Sequence, residues 1–292
     1  MTDRAELLYD ARNTLGEGPW WDSDNGWLYW TDITDKRIHR LTPYSGEHRS
    51  VVMTQEVGAF VPARTGGFIC AMRDGLYRYD PISTSAVQIV GIETDLPGNR
   101  FNDGKCDAAG RFWAGTMDEK EEGPTGALYC LEADLSCRRV LTDITISNGL
   151  AWSADNRTMY FIDSTTQEVV AFDYDLGTGS LTAPRTAVRI GDDEGLPDGM
   201  TIDREGMLWI AIWGGGKVIR CNPATGERLQ TVLVAASHVT SCAFGGERLD
   251  ELYITTARQG LSERQLLDEP NAGGVFRFKT ATQGFATVPF GA

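Results

Sequence analysis

Apolar and polar residues alternate through most of this chain in short runs, and tight turns interrupt them. In LPDGMTIDREGMLWIAIW, Leu196 to Trp213, a polar Asp198 precedes a Gly. An alternating apolar run follows, then the turn Asp203–Gly206, then a second apolar run, Leu208–Trp213. Two strand-length runs joined by such a turn predict a β-hairpin. The unit recurs, starting at Glu17, Val57, Asp103, Asn148, Asp198 and, in divergent form, Ser241, with spacings of 40, 46, 45, 50 and 43 residues. After each hairpin comes a third short apolar run, such as KRIHRLTP, DGLYRYDP or GKVIRCNP, then turn residues and a weaker fourth run such as HRSVVM or LQTVLV. Repeats of roughly 40–50 residues with four strands each are the signature of propeller blades. The expected fold is therefore all-β: one domain over residues 1–292, a six-bladed β-propeller of four-stranded antiparallel blades around a central channel. No segment has a long helical period.

A ring of blades has to be closed, because open sheet edges are a liability. Two segments can serve: ELLYD, Glu6–Asp10, pairing with the last blade, or the C-terminal FATVPF, Phe285–Phe290. The sequence leaves both open.

Composition agrees with this picture. The 33 glycines among 292 residues fall mainly in turns, and 41% hydrophobic residues with eight Trp and eleven Phe suffice for a packed core. A net charge of −14 argues against nucleic acid as a partner, since phosphate recognition needs a basic face. The N-terminus has no apolar run long enough for a signal peptide or a membrane span. The six cysteines, Cys70, Cys106, Cys130, Cys137, Cys221 and Cys242, show no CxxC spacing and read as reduced residues. A cytoplasmic protein with no membrane partner, a monomer or weak oligomer, is the expectation.

In a propeller, equivalent positions form a ring about one axis. The residue before the recurrent Gly predicts a ring of Glu17, Val57, Asp103, Asn148, Asp198 and Ser241 at one end of the channel. Any one of these is an ordinary turn former; their recurrence in phase is not. Three clustered carboxylates repel one another unless a cation or shared proton joins them. Oxygen ligands without His or Cys favour hard divalent ions such as Ca²⁺, Mg²⁺ or Mn²⁺. Val57 and Phe60 make the second blade a wall. Alternation puts Arg100 and Asn102 on one side of their strand. His39 and His48 fall on an outer strand and turn of the first blade, and His238 precedes the sixth hairpin.

LGEGPWW, RFNDGKCDAAGRFWAGTM, ISNGLAWS, LPDGMTIDREGMLW and TSCAFGG together resemble the SMP-30/gluconolactonase/regucalcin-like family, in order and over about residues 7–278. The resemblance implies a six-bladed propeller with one divalent metal at the axis, held by Glu17, Asn148 and Asp198. It implies calcium first, with manganese, magnesium, zinc or iron as alternatives. It also implies Arg100 and Asn102 as substrate contacts. A further family contact, a Glu after the GTM motif, falls on Lys120, with Glu119 and Glu121 on either side; Glu119 and Lys120 join the candidate substrate-binding set. The implied reaction is hydrolysis of a sugar lactone to the aldonic acid, with Asp198 as general base. There is no GxSxG elbow, so direct attack by water is expected rather than an acyl-enzyme. Two rivals within reach are a calcium-dependent phosphotriesterase-like propeller esterase and a calcium-binding protein without turnover. A WD-type interaction propeller fits less well, because the GH…WD pairing is missing.

Overall fold

The computed structural model describes residues 3–291. Its strands form six antiparallel sheets, each running from the channel outward in chain order. Blade 1 is Gly16–Asp22, Trp27–Asp32, Arg37–Thr42 and Glu47–Val52. Blade 2 is Val57–Pro62, Phe68–Met72, Gly75–Asp80 and Ser85–Gly91. Blade 3 is Asn99–Cys106, Phe112–Asp118, Gly126–Leu131 and Cys137–Ile144. Blade 4 is Ser147–Trp152, Thr158–Asp163, Glu168–Asp175 and Ser180–Arg189. Blade 5 is Leu196–Ile202, Leu208–Trp213, Lys217–Cys221 and Arg228–Leu233, and blade 6 begins with Val239–Gly245, Glu251–Thr256 and Val275–Lys279. The expected six-bladed propeller is what the chain forms. Among the described residues the only α-helix is the six-residue Glu263–Asp268, capped by Ser262, and none is long and apolar enough to cross a membrane.

Position in the blade sets burial. The inner strand Ser147–Trp152 is buried at every residue, because neighbouring blades cover both its faces. The rim strand Ser85–Gly91 is largely exposed. The core lies between blades. Trp20, Tyr29, Phe60 and Tyr79 fill the space between blades 1 and 2, with Trp20 stacked on Tyr29 at 4.3 Å. Trp113, Trp152, Phe172 and Tyr174 do so between blades 3 and 4, and Trp209, Phe244 and Phe276 between blades 5 and 6. Each fully buried aromatic contributes on the order of 2–3 kcal/mol. One device anchors two of these indoles. The turn residues Asp107 and Asp203 accept from Trp113 Nε1 at 2.8 Å and Trp209 Nε1 at 2.9 Å, and each carboxylate is also paired with an arginine, Arg111 or Arg220, at 2.7 Å.

The N-terminus closes the ring. Glu6–Tyr9 is the outer strand of blade 6, antiparallel to Val275–Lys279. Asp3–Arg4 then adds a short parallel strand to the edge of blade 5. The C-terminal segment does not share this role. Phe285–Phe290 forms no blade strand and instead crosses the ends of the inner hairpins. Phe290 meets blade 2 through Phe290 N to Pro62 O at 2.8 Å and Arg64 N to Phe290 O at 3.0 Å.

Candidate metal and active site

All six inner strands are irregular at the same phase. Pairing with the second strand shifts between Glu17 and Trp20, Val57 and Ala59, Phe101 and Gly104, Ser147 and Leu150, Pro197 and Met200, and Val239 and Ser241. A bulge gives one strand extra residues and re-aims their side chains. Asn102, Asn148 and Asp198 sit inside these bulges, and Glu17 sits at the edge of one.

The bulges correct the expected ring. In blade 3 the two residues inside the shift are Asn102 and Asp103, so Asn102 holds the place that Asn148 and Asp198 hold in blades 4 and 5. Asp103 is one residue further on, and a one-residue slip sends a side chain to the other side. A cavity of about 120 Å³ at the entry ends of the inner strands is lined by Glu17, Arg100, Asn102, Asn148 and Asp198. Asp103 and Ser241 instead line a larger cavity, about 250 Å³, at the hairpin-turn ends of the same strands. Val57 is buried among apolar neighbours and supplies no ligand atom.

Hydrogen bonds fix the site from blade to blade. Asn102 Nδ2 donates to Ser147 O at 2.8 Å and to Asn148 Oδ1 at 3.3 Å. Asn148 Nδ2 donates to Ser164 Oγ at 2.8 Å, and Ser164 Oγ donates to Pro197 O at 2.7 Å. This chain fixes which way the Asn148 amide faces. Arg100 Nη1 donates to Asn102 Oδ1 at 2.8 Å and to Phe101 O at 2.9 Å. Glu17 Oε2 accepts from Gly18 N at 2.8 Å. Asp198 Oδ1 is buried and has no hydrogen-bond partner.

The electrostatics are those of crowded acids. Burial raises the Glu17 carboxyl to about 8, with the Asp103 charge adding to the effect. Burial, then Glu17 and Asp103, push Asp198 well above the usual carboxylate range. Burial lowers Arg100, opposed by Glu119. Among the described residues no three His, Cys, Asp or Glu side chains converge as a metal cluster. An ion here would thus depend on the Asn148 amide oxygen beside the Glu17 and Asp198 carboxylates. The orphaned Asp198 oxygen and the mutual repulsion fit a hard divalent cation.

The loop after the GTM motif differs from the simple alignment. Lys120 is exposed and absent from the cavity lining, its N–H bonded to Asp118 Oδ1 at 3.2 Å. Glu121, at φ 56°, reaches the cavity. Glu119 pairs with Arg73 at 2.6 Å and lies 3.8 Å from Arg100 Nε, so it steadies the arginine. Trp213, Gln259 and Ser164 also line the cavity, and sequence reasoning missed them. Trp213 ends the second strand of its blade and Ser164 directly follows one, but no motif marks either. His238 contributes from behind, stacked on Trp213 at 4.0 Å with Nδ1 2.9 Å from Gln259 O.

Fold and site together define a six-bladed propeller with an acidic, oxygen-lined cavity at one mouth of its channel. Residues 15–258 match the family model described as SMP-30/Gluconolactonase/LRE-like region, and the chain belongs to that family. It is 40% identical over 286 residues to the Bacillus subtilis (strain 168) protein named "Putative sugar lactone lactonase YvrE", covering 98% of both chains. It is 40% identical over 279 residues to human regucalcin, covering 94% of this chain and 93% of that one. A solved regucalcin from Agrobacterium tumefaciens, described as a calcium-binding protein, superposes with a TM-score of 0.94 at 28% identity, over 100% of this chain and 99% of that one. These relatives place the protein among lactonase-type propellers.

Proposed function

We propose that the protein hydrolyses a sugar lactone to its aldonic acid at the smaller cavity. One observation carries the reading: a buried carboxylate pair, Glu17 and Asp198, shares a small cavity with Asn148 and faces the cross-linked Arg100 and Asn102. The resident cofactor in this reading is one divalent ion, calcium first, held by Glu17, Asn148 and Asp198. When bound, it supplies Lewis-acid polarisation of a carbonyl and acidification of water.

The chain's own residues do the rest. Asp198 accepts the proton of the attacking water and returns it to the departing ring oxygen. Arg100 and Asn102 hold substrate hydroxyls, and the guanidinium stabilises charge developing on oxygen. Glu121 takes the place on the cavity rim that alignment gives to Lys120, and Glu119 acts through Arg73 and Arg100. Trp213 offers an aromatic face for the apolar side of a sugar ring.

The test is acid release from a panel of sugar lactones, using metal-stripped protein and then Ca²⁺, Mg²⁺, Mn²⁺, Zn²⁺ and Fe²⁺ added back singly. Metal-dependent acceleration above spontaneous hydrolysis supports the proposal. Its absence for every lactone and ion overturns it. A second reading, calcium binding without turnover, is favoured by the all-oxygen donor set, and saturable calcium binding with no lactone consumed would support it. Phosphotriester cleavage is checked in the same assay with an aryl phosphotriester.

The six cysteines are free, and five are buried. That fits a reducing compartment, and we place the protein in the cytoplasm, acting on a small molecule.

A further inference from the structure

The smaller cavity sets one cation among three acids. Glu17, Glu121 and Asp198 line it, against Arg100 alone. Arg100 is itself engaged: Nη1 donates to Asn102 Oδ1 and Phe101 O, and Nε lies 3.8 Å from Glu119. The charges of Glu17 and Asp198 match that of a divalent ion held between them. No positive charge is left over for a second anionic group on a substrate.

The rim repeats the pattern. Asp118 to Glu122 reads DEKEE, four acids and one lysine. Glu121 N donates to Asp118 O at 3.0 Å, and the Asp118 carboxylate accepts from the N–H groups of Lys120 and Glu122, each at 3.2 Å. This turn puts Glu121, at φ 56°, on the cavity lining and leaves Lys120 exposed and off it. Arg73, the other cation close to Arg100, is held by Glu56 at 3.0 Å and Glu119 at 2.6 Å. The rest of the lining is uncharged. Asn102, Asn148, Ser164 and Gln259 suit hydroxyl groups, and Met117 and Trp213 belong to an apolar wall.

We propose that this site takes uncharged sugar lactones and rejects those that carry a further anionic group, such as a phosphate, sulfonate or carboxylate, and that Glu121 sets the preference. The inference rests on lactone hydrolysis at this cavity. A like charge brought to an acidic rim is repelled, and a charge mismatch of this kind discriminates more sharply than it binds. Glu121 is exposed, so salt screens the repulsion; exclusion by size would be indifferent to salt. Ring opening turns a neutral lactone into a carboxylate, so the same rim also favours departure of the product.

D-Glucono-1,5-lactone and its 6-phosphate are the probes, with acid release followed in weak, metal-replete buffer. At low salt kcat/KM for the neutral lactone should exceed that for the phosphate by about tenfold or more, and the gap should narrow as ionic strength rises. Glu121→Lys should raise kcat/KM for the phosphate itself while lowering it for the neutral lactone. Glu121→Gln should narrow the gap by less, and it serves should the lysine variant not fold. Three results would overturn the charge selection alone: turnover of the phosphate as fast as that of the neutral lactone, a gap indifferent to salt, or a gap unchanged in a folded Glu121 variant. No turnover of either lactone would overturn the lactonase reading beneath it, and the charge selection with it.

Discussion

Lys105 Nζ donates to Met200 O at 2.7 Å, a bond between residues 95 positions apart that crosses the channel from blade 3 to blade 5. A second donor on the same ammonium goes to Leu150 O of blade 4 at 3.0 Å. Three inner strands are therefore tied at one nitrogen, on a residue that lines the larger cavity. Lys105→Met would leave both carbonyls and the Asp103 charge without this partner. The expected loss is about 1–3 kcal/mol, discounted from a fully buried pair because Lys105 touches the larger cavity. Urea denaturation measures it. Lys105→Met/Asp103→Asn should recover part of the loss, since the stranded charge is gone; an additive double mutant would show that the two side chains are not coupled.

The Glu17 and Asp198 carboxylates oppose each other in the metal-free site, and both are raised by burial and by neighbouring acids. Glu17→Gln replaces one of these acids by a neutral amide of the same shape. Metal-free Glu17→Gln should be at least as stable as the parent chain at neutral pH, while calcium stabilises it far less. Thermal melts in EDTA and in excess calcium check both arms. Loss of stability in EDTA would mean that Glu17 serves the fold rather than an ion. Asp198→Ala should abolish lactone turnover, and substantial turnover in metal-replete buffer would remove Asp198 as the base.

Ser164 touches Asn148 without standing among the proposed ligands. Its hydroxyl accepts from Asn148 Nδ2 and donates to Pro197 O. Ser164→Ala frees the amide to rotate. Loss of such an orienting partner typically costs 10–100-fold in metal affinity. Calcium titration calorimetry should show that loss with little change in the urea midpoint of the metal-free chain.

These relationships show where the sequence was legible. The six blades were readable because each repeats a hairpin of alternating apolar residues, and the blade core is indifferent to small changes in register. The ring was harder. In NDG, at Asn102–Gly104, the acid before the Gly looks equivalent to Asp198 before Gly199, yet the bulge shifts the count by one and brings Asn102 to the cavity. A bulge is a property of two paired strands, so a single strand's pattern cannot show it. Ser241 was misplaced for the same reason. The closing strand at Glu6–Tyr9 was one of two open choices because both termini carry short apolar runs, and only pairing with Val275–Lys279 separates them.

The loop after the GTM motif yields a sharper test. Alignment points to Lys120 and geometry to Glu121. Lys120→Gln should leave kcat/KM for the best lactone within about twofold, the range of an ordinary surface change. Glu121→Gln should lower it about tenfold, roughly the worth of one charge-assisted hydrogen bond. Steady-state kinetics on both variants decides, and the reverse ranking would return the contact to Lys120.

His39 and His48 meet through Nδ1 and Nε2 at 3.0 Å, against Trp30 and Tyr9, far from either cavity. Burial, then His48 and Arg37, lower His39 to about 3 from an ordinary 6.5. The unfolded chain therefore binds a proton that the folded chain refuses. Its contribution to stability is present above the unfolded value and is lost as pH falls from about 6.5 toward about 3. The slope from this one group approaches about 1.4 kcal/mol per pH unit. Tyr9 belongs to the closing strand and stacks on His48 at 4.6 Å, so protonation loosens the ring at its seam. His39→Phe keeps a ring against Trp30 and removes the titration. Between about pH 7 and pH 5 the raised Glu17 and Asp198 carboxyls stabilise the fold as pH falls, and they do so in both proteins alike. The urea midpoint of the parent chain should therefore fall relative to that of His39→Phe over this interval, and an unchanged difference between the two proteins would mean that His39 does not carry the effect.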